Sequence, residues 1–234
     1  MTTTTNATNV FDTEDAFAIN KARMDHLESL GFDFDGKTIL DAGAGVGHLA
    51  AYLDNWGLGS RITCVDARAE NIERLRQKYP LIRDARVLDV ESFPPSVGGR
   101  GWDVVFCYGL LYHLESPLRA LTKLVAEARE LVLLETIVCD HHQPLVLLAD
   151  EPAVPNQSLR GVGSRPTPSW VSRVLSRLGL WVYLPQQPPD HPDFKWLQRN
   201  DLSTERDGHS IRVVFVGSTK PLSNDRLDFV RGPS

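Results

Sequence analysis

Cysteine is scarce in this sequence, and long apolar runs are absent from it. The three cysteines, Cys64, Cys107 and Cys139, are scattered and form no CxxC pair, which argues against a disulfide framework and against a zinc site. No apolar run approaches the roughly 20 residues that a membrane span needs, so no contact with a membrane is expected. Residues 1–6 lack the basic and apolar regions of a signal peptide and are interpreted as a polar leader. These features predict a protein of the reducing cytoplasm.

A basic excess is also missing. Lysine and arginine number 25 against 30 aspartate and glutamate residues, which gives a formal net charge of −5. Proteins that bind nucleic acid usually carry a positive surplus, because phosphate neutralisation supplies much of their affinity. The balance therefore favours a small-molecule partner and disfavours RNA or DNA, although a local basic patch would still permit a nucleic acid.

Short apolar runs alternate with amphipathic runs through the first 140 residues, which is the pattern of βαβ units and a parallel sheet. A helix is predicted from residue 14 to about residue 30, where Gly31 ends it. Five early strands are predicted at residues 38–41, 61–66, 85–89, 102–108 and 130–138. Two late strands are predicted at residues 180–184 and 211–216. The pattern indicates an α/β fold.

The alternation breaks after the fifth strand, and this break defines the predicted organisation. Residues 139–168 mix prolines, histidines and glycines with one apolar patch, and a segment of that length is typically a lid or an insertion. A second irregular stretch covers residues 186–209, and the residues after Lys220 are predicted to be disordered or loosely docked. The chain is therefore interpreted as a single domain of 234 residues. Its parts are an N-terminal helix (14–36), a core (37–138), a lid (139–168), a C-terminal part of the sheet (169–220) and a tail (221–234).

A glycine-rich loop follows the first predicted strand. Gly43, Gly45 and Gly47 allow backbone N–H groups to approach a ligand at the start of a helix. The fingerprint of a nicotinamide dinucleotide site would place its third glycine where His48 stands. Asp41, two residues before the first glycine, suits a cationic amino group better than a pyrophosphate. The loop therefore indicates a cofactor that carries an amino group.

Two further carboxylates end the next two strands. Asp66 is placed to accept hydrogen bonds from both hydroxyls of a ribose, and Asp89 from an adenine amino group. The ordered series of loop, Asp66, Asp89 and the fourth strand resembles the class I methyltransferase family, over roughly residues 37–138. The resemblance implies a Rossmann-like, seven-stranded and mainly parallel sheet, with helices on both faces and the last strand antiparallel.

The same resemblance implies S-adenosylmethionine as the cofactor. It implies that Asp41 and the loop glycines border the methionine part, Asp66 the ribose, and Asp89 with Val90 the adenine. The full set of expected cofactor residues is Asp41, Ala42, Gly43, Gly45, Gly47, Asp66, Ala67, Asp89, Val90 and Tyr108.

Three histidines are candidates for a general base, which an oxygen or nitrogen acceptor would need. His113 follows the fourth strand, and a role in packing or hydrogen bonding is its alternative. His141 and His142 follow the fifth strand, and the alternative for both is a place in a solvated turn without a catalytic role. Neighbouring histidines on an extended chain point in opposite directions, so no metal site is predicted there. Glu135 lies within the fifth strand, where a buried acid needs a partner or faces the cleft.

Residues 109–117 resemble a subgroup that includes the enzymes modifying the wobble uridine of transfer RNA. This chain lacks the basic excess and the long N-terminal extension expected of the carboxymethylating members. The leading hypothesis is therefore methylation of oxygen or nitrogen in a small molecule, such as a sugar or secondary metabolite. The alternatives are modification of RNA and a cofactor-binding scaffold without activity, and the intact Asp41, Asp66 and Asp89 disfavour the scaffold.

Overall fold

The computed structural model describes residues 10–92, 101–152, 154, 156–195 and 199–234, so the predicted polar leader lies outside the described residues. Eight strands of this part of the chain form one mixed sheet. They are β1 (Ile39–Ala42), β2 (Ile62–Asp66), β3 (Asp84–Val87), β4 (Trp102–Tyr108), β5 (Ala128–Ile137), β8 (Trp181–Pro185), β11 (Arg212–Ser218) and β12 (Leu227–Arg231). Two small hairpins accompany it, β6 (Val146–Asp150) with β7 (Val162–Pro166), and β9 (Glu205–Arg206) with β10 (His209–Ser210).

The strand order is β12-β8-β11-β5-β4-β1-β2-β3. The strands from β1 to β5 are parallel to one another, whereas β11 runs antiparallel to both β5 and β8. The predicted insertion of residues 211–216 beside the fifth strand is therefore confirmed, as is the mainly parallel, Rossmann-like sheet with a late antiparallel strand.

Helices cover both faces of this sheet. The five α-helices of the described residues are α1 (Glu14–Ser29), α2 (His48–Asn55), α3 (Ala69–Lys78), α4 (Pro117–Glu127) and α5 (Pro168–Arg177). One hydrophobic cluster packs α1, α2 and α3 against one face, and a second packs α4 and α5 against the other. Within β4, Val104 and Phe106 belong to the first cluster and Val105 and Cys107 to the second. A strand buried on both sides explains why β4 reads as a continuous apolar run.

Helix ends follow the sequence signals. The Thr13 hydroxyl accepts a hydrogen bond from Ala16 N at the start of α1 (3.1 Å), and the chain turns at Gly31 with φ +69°. Thr167 caps α5 in the same way, and Pro168 occupies the first turn, where its missing N–H costs nothing. Among the described residues, no helix combines the length and the apolarity that crossing a membrane requires.

The last strand was not predicted from the sequence. Residues 221–234 were expected to form a loose tail, but β12 pairs antiparallel with β8 and makes an eighth strand. Leu227 is buried, and the Phe229 ring lies 5.9 Å from Trp181 and 5.7 Å from Tyr183. The strand is short and follows the polar run of residues 223–226, which is why the segment was interpreted as a tail. The interpretation of this segment was wrong.

Candidate functional site

The glycine loop connects β1 to α2 at the carboxyl edge of the sheet. Gly43 and Gly47 have φ values of +78° and +89°, which other residues rarely adopt. A Cβ at Gly43 would stand 2.8 Å from Leu110, and one at Gly47 the same distance from Leu75. These two glycines are therefore required by packing as well as by the backbone. This packing is a reason for glycine at both positions in addition to the close approach of a ligand, which the sequence predicts.

Asp41 lies at the end of β1, beneath the loop. Its side chain is 1% exposed, and Oδ2 has no hydrogen-bond partner among the described residues. Burial, with a contribution from the charge of Asp66, raises the pKa of Asp41 to about 7. A buried carboxyl with a free oxygen is costly unless a donor reaches it, so Asp41 suits a cationic or amino ligand.

Asp66 ends β2 and holds the glycine loop in place. Its Oδ2 accepts from Gly45 N at 3.0 Å, while Oδ1 accepts from Arg68 N at 2.9 Å and from Asn71 Nδ2 at 3.1 Å. Burial raises the pKa of Asp66 despite these hydrogen bonds. The fixed carboxylate faces a cavity that Ala67 also lines.

Asp89 follows β3 and is held by an arginine that sequence reasoning did not single out for it. Arg160 Nη2 lies 2.6 Å from Asp89 Oδ2, and Nη1 of the same guanidinium bonds Glu91. Burial would raise the pKa of Asp89, but hydrogen bonds from Glu91 N and Arg160 lower it overall. The segment predicted as a lid is thus fastened to the residue expected to meet adenine.

These acids surround a cleft that we name the cofactor cavity. The expected residues that line it are Gly43, Gly45, Asp66, Ala67, Asp89 and Val90. Residues 156–160 of the predicted lid form its opposite wall, and Arg68 donates a hydrogen bond to Ser158 O at 3.1 Å. Asp41, Ala42 and Gly47 do not line this cavity.

The segment predicted as a lid, residues 139–168, is more regular than its composition indicates. The antiparallel hairpin β6–β7 brackets the residues that cover the cofactor cavity. Ser164 is fully buried and donates to Leu111 O, and Thr167 N donates to Leu145 O at 2.9 Å. The Ser164 contact therefore docks the segment on the turn after β4. The apolar patch at residues 145–148 contributes less than expected, because it is only partly buried and Leu148 is 67% exposed.

A second cleft adjoins the first, and we name it the arginine cavity. The side chains that define it are Arg23, Tyr108, Tyr112, His113, Arg165 and Arg212. The two cavities share part of their walls, including Gly43, Gly45 and His113. Tyr108 lines only the arginine cavity, so it lies beside the expected cofactor region. A ligand in one cavity would therefore meet a ligand in the other near His113.

His113 forms a dyad with Glu151 of the lid. Nδ1 of His113 lies 2.6 Å from Oε2 of Glu151, whose other oxygen accepts from Arg165 at 2.9 Å. Burial would raise the pKa of Glu151, but His113, Arg165 and the Ser158 N–H outweigh it and lower that pKa to about 2. Glu151 is therefore ionised at neutral pH and orients the imidazole.

Glu135 has the partners that a buried acid in β5 requires. Its side chain is fully buried, with Oε2 2.6 Å from Arg23 Nη2 and Oε1 3.0 Å from Arg212 Nη1. Burial would raise the pKa of Glu135, but the two guanidinium groups lower it overall. The carboxylate stands behind the wall of the arginine cavity rather than in it.

His141 and His142 are not brought to either cavity. Their rings stack with centroids 4.6 Å apart, so the expectation that they point in opposite directions was wrong. The chain turns here instead of running extended, and Nδ1 of His142 bonds Asn200. Within the described ranges, no group of three His, Cys, Asp or Glu residues is arranged to hold a metal ion.

Two arginines of the arginine cavity, Arg23 and Arg212, were not predicted from the sequence. Arg23 lies on α1 and Arg212 begins β11, and both reach Glu135 from far along the chain. The available signal was the unmatched charge of Glu135 in an apolar strand, which calls for a buried cation. Nothing in the local sequence identifies which arginines pair with Glu135.

Comparison with known proteins is consistent with this geometry. A family described as "Methyltransferase domain" matches residues 15–183. A tRNA U34 carboxymethyltransferase from Alcanivorax borkumensis is 34% identical over 164 residues, covering 66% of this chain and 47% of the relative. The enzyme of the same name from Idiomarina loihiensis is 31% identical, covering 63% and 46%. The chain spans about half the length of these two relatives.

Solved structures share the fold. The N-terminal domain of EvdMO1, crystallised with S-adenosylhomocysteine and D-fucose, has a TM-score of 0.64 at 20% identity, over 89% of this chain and 84% of that one. The 1,6-didemethyltoxoflavin-N1-methyltransferase of Burkholderia thailandensis has a TM-score of 0.58 at 18% identity, over 86% and 77%. At these identities the likeness concerns the architecture of the chain.

Proposed function

This chain belongs to the methyltransferase domain family, and on that premise we propose that it transfers the methyl group of S-adenosylmethionine to an oxygen or nitrogen of a small molecule. The observation that carries the proposal is the joint wall of two cavities. The carboxylates Asp66 and Asp89 line the cofactor cavity, the arginines line the arginine cavity, and His113 borders both. Alignment of donor and acceptor across such a wall supplies much of the rate of an in-line displacement.

The described residues fit the parts of this cofactor. The free buried oxygen of Asp41 suits the amino group of its methionine part, although the carboxyl stands behind the loop. The fixed carboxylate of Asp66 suits the two ribose hydroxyls. Val90 and Leu88 provide an apolar surface beside Asp89 for a flat base, and the Arg160 contact leaves the carboxylate at the cavity edge. When bound, the cofactor supplies an electrophilic methyl group to the acceptor.

His113 is the proposed general base. Glu151 accepts a hydrogen bond at Nδ1, so the proton of the neutral imidazole belongs on Nδ1 and Nε2 is left to accept a proton. This is the arrangement by which a carboxylate orients a catalytic histidine. The dyad would accept the proton that an acceptor hydroxyl or amine releases on methylation.

Modification of tRNA is the second candidate, because the two curated relatives named above modify tRNA U34. The acidic balance of the chain, with a formal net charge of −5, favours the small molecule. A product assay separates the two: transfer of isotopically labelled methyl from S-adenosylmethionine, with low-molecular-mass acceptors in one arm and unmodified tRNA in the other. Label in a small product with none in tRNA supports the first proposal, and the reverse supports the second.

A further inference from the structure

The arginine cavity has a wall of one charge sign. Three guanidinium groups line it, those of Arg23, Arg165 and Arg212, and none of the described residues lining it is an aspartate or a glutamate. Ile19 and Ile137 lie on the same wall. The surface offered to a ligand is therefore cationic, with apolar patches beside the charges.

The balancing carboxylates stand behind that surface. Glu135 and Glu151 have side-chain exposures of 0% and 3%, and each bonds one or two of the arginines from the protein side. Asp193 holds Arg212 Nε at 3.0 Å in the same way. Such contacts fix long, flexible side chains in position, so little conformational entropy is lost when a ligand binds.

Two buried donors of the wall have no partner. Nε of Arg23 and the hydroxyl of Tyr108 form no hydrogen bond with any described residue, although Arg23 and Tyr108 are only 7% and 3% exposed. Burial, and to a lesser extent Glu135, raises the pKa of Tyr108, so its hydroxyl keeps its proton and remains a donor. Unsatisfied buried donors call for a ligand rich in acceptors.

The Tyr112 ring organises two of the arginines. The guanidinium carbon of Arg212 lies 4.9 Å from the ring centroid, and that of Arg165 lies 5.6 Å from it. The same ring lies beside His113, with centroids 4.1 Å apart. The cationic groups and the proposed base are thus held in one rigid unit.

We propose that the acceptor is an organic acid whose carboxylate is bound by Arg23, Arg165 and Arg212 together with the Tyr108 hydroxyl. A carboxylate has only acceptor oxygens when ionised, which matches a wall of donors. Anchoring of that group would direct the rest of the acceptor along the joint wall toward His113. The inference rests on the proposed function, since it names the substrate class of the same site.

The first test compares charged probes with neutral ones. With the protein saturated in S-adenosylhomocysteine, acetate, benzoate and 4-hydroxybenzoate are titrated beside their own amides and followed by NMR. We expect at least one acid to bind roughly tenfold more tightly than its amide, with affinity falling as salt screens the charge. If none of the three acids binds more tightly than its amide, the proposal is wrong.

Two variants shift the anion affinity in opposite directions. Arg165→Gln removes one charge while keeping an amide donor, and the acid should bind about tenfold more weakly, the usual scale for a charge-assisted hydrogen bond. Glu135→Gln removes a balancing charge behind the wall, so the acid should bind several-fold more tightly. Arg119→Gln, an exposed position of α4, is the control and should change nothing. Affinity that is the same in all three variants would overturn the proposal.

Measurements of folding and of cofactor binding distinguish a failure of this inference from a failure of the proposed function. Thermal melting and S-adenosylhomocysteine affinity are measured for each variant, and Arg165→Gln alone decides the matter if Glu135→Gln fails to fold. If wild type does not bind S-adenosylhomocysteine, the proposed function fails. If it binds the cofactor product and methylates neutral acceptors as fast as organic acids, only the present inference fails.

Discussion

At the scale of single residues, Asp41 makes the sharpest prediction. Its pKa is about 7 in the folded chain against 3.8 as a reference, so the folded state retains a proton that the unfolded state releases. The contribution of Asp41 to the stability of the ligand-free protein should therefore be complete below about pH 4 and should be lost as the pH rises through about 7. Asp41→Asn should remove this fall, which melting curves from about pH 5 to 8 would show. Parallel pH profiles for the two proteins would contradict the account.

Ligand binding should also change the protonation of Asp41. An amino group beside Asp41 favours the ionised form, so binding of S-adenosylhomocysteine below about pH 7 should release a proton. Calorimetry in two buffers of different ionisation enthalpy measures that release. The Asp41→Asn variant should bind S-adenosylhomocysteine more weakly and without releasing a proton. Equal proton release in wild type and variant would exclude Asp41 as the partner of the ligand's amino group.

His113 and His141 form a matched pair, because both were candidate bases and only His113 reaches a cavity. His113→Gln should lower kcat by roughly 10²- to 10⁴-fold, the usual contribution of a general base, while S-adenosylhomocysteine affinity stays near wild type. His141→Gln should leave kcat unchanged. If His113→Gln transferred methyl at the wild-type rate, His113 would not be the general base and its role would be in packing.

At the scale of elements, the lid should control how long the cofactor stays. Arg160 fastens residues 156–160 over the cofactor cavity through Asp89 and Glu91, and it is about two-fifths exposed, so solvent weakens the pair. Arg160→Gln should speed dissociation of S-adenosylhomocysteine by about fivefold, the equivalent of roughly 1 kcal/mol. Stopped-flow displacement measures this rate, with Arg119→Gln as the control. An unchanged rate would show that the contact does not hold the lid.

The eighth strand is an element whose role is stability. Residues 221–234 cover the edge of β8, and Leu222 N donates to the Tyr183 hydroxyl at 2.8 Å. Their removal would expose the surface that Leu227 covers, and we expect the free energy of unfolding to fall by about 2–4 kcal/mol. Urea denaturation measures the loss. Because β12 lies at the far edge from the glycine loop, the folded fraction should still bind S-adenosylhomocysteine normally.

At the scale of the whole molecule, the sequence predicts what is local and periodic. The glycine loop, Asp66 and the buried run of β4 carry their own signals, and they predicted the parallel strands whose carboxyl ends border the cofactor cavity. Sites assembled from distant segments carry no such signal: Arg23 and Glu135 are 112 residues apart along the chain. The hairpin β6–β7 was hidden by the prolines and glycines of its segment, and β12 by its shortness and the polar residues that precede it. The organisation of the core was therefore predictable, whereas the acceptor side was not.

The cleft at the glycine loop is predicted to bind S-adenosylmethionine. Calorimetric titration with S-adenosylhomocysteine tests it most directly, with NAD as the competing ligand, Asp66→Ala as the site variant and the exposed Asp15→Ala as its control. We predict binding to wild type and to Asp15→Ala, binding to Asp66→Ala that is weaker by about 1.5–3 kcal/mol, and none with NAD. Tight binding of NAD without binding of S-adenosylhomocysteine would contradict the account.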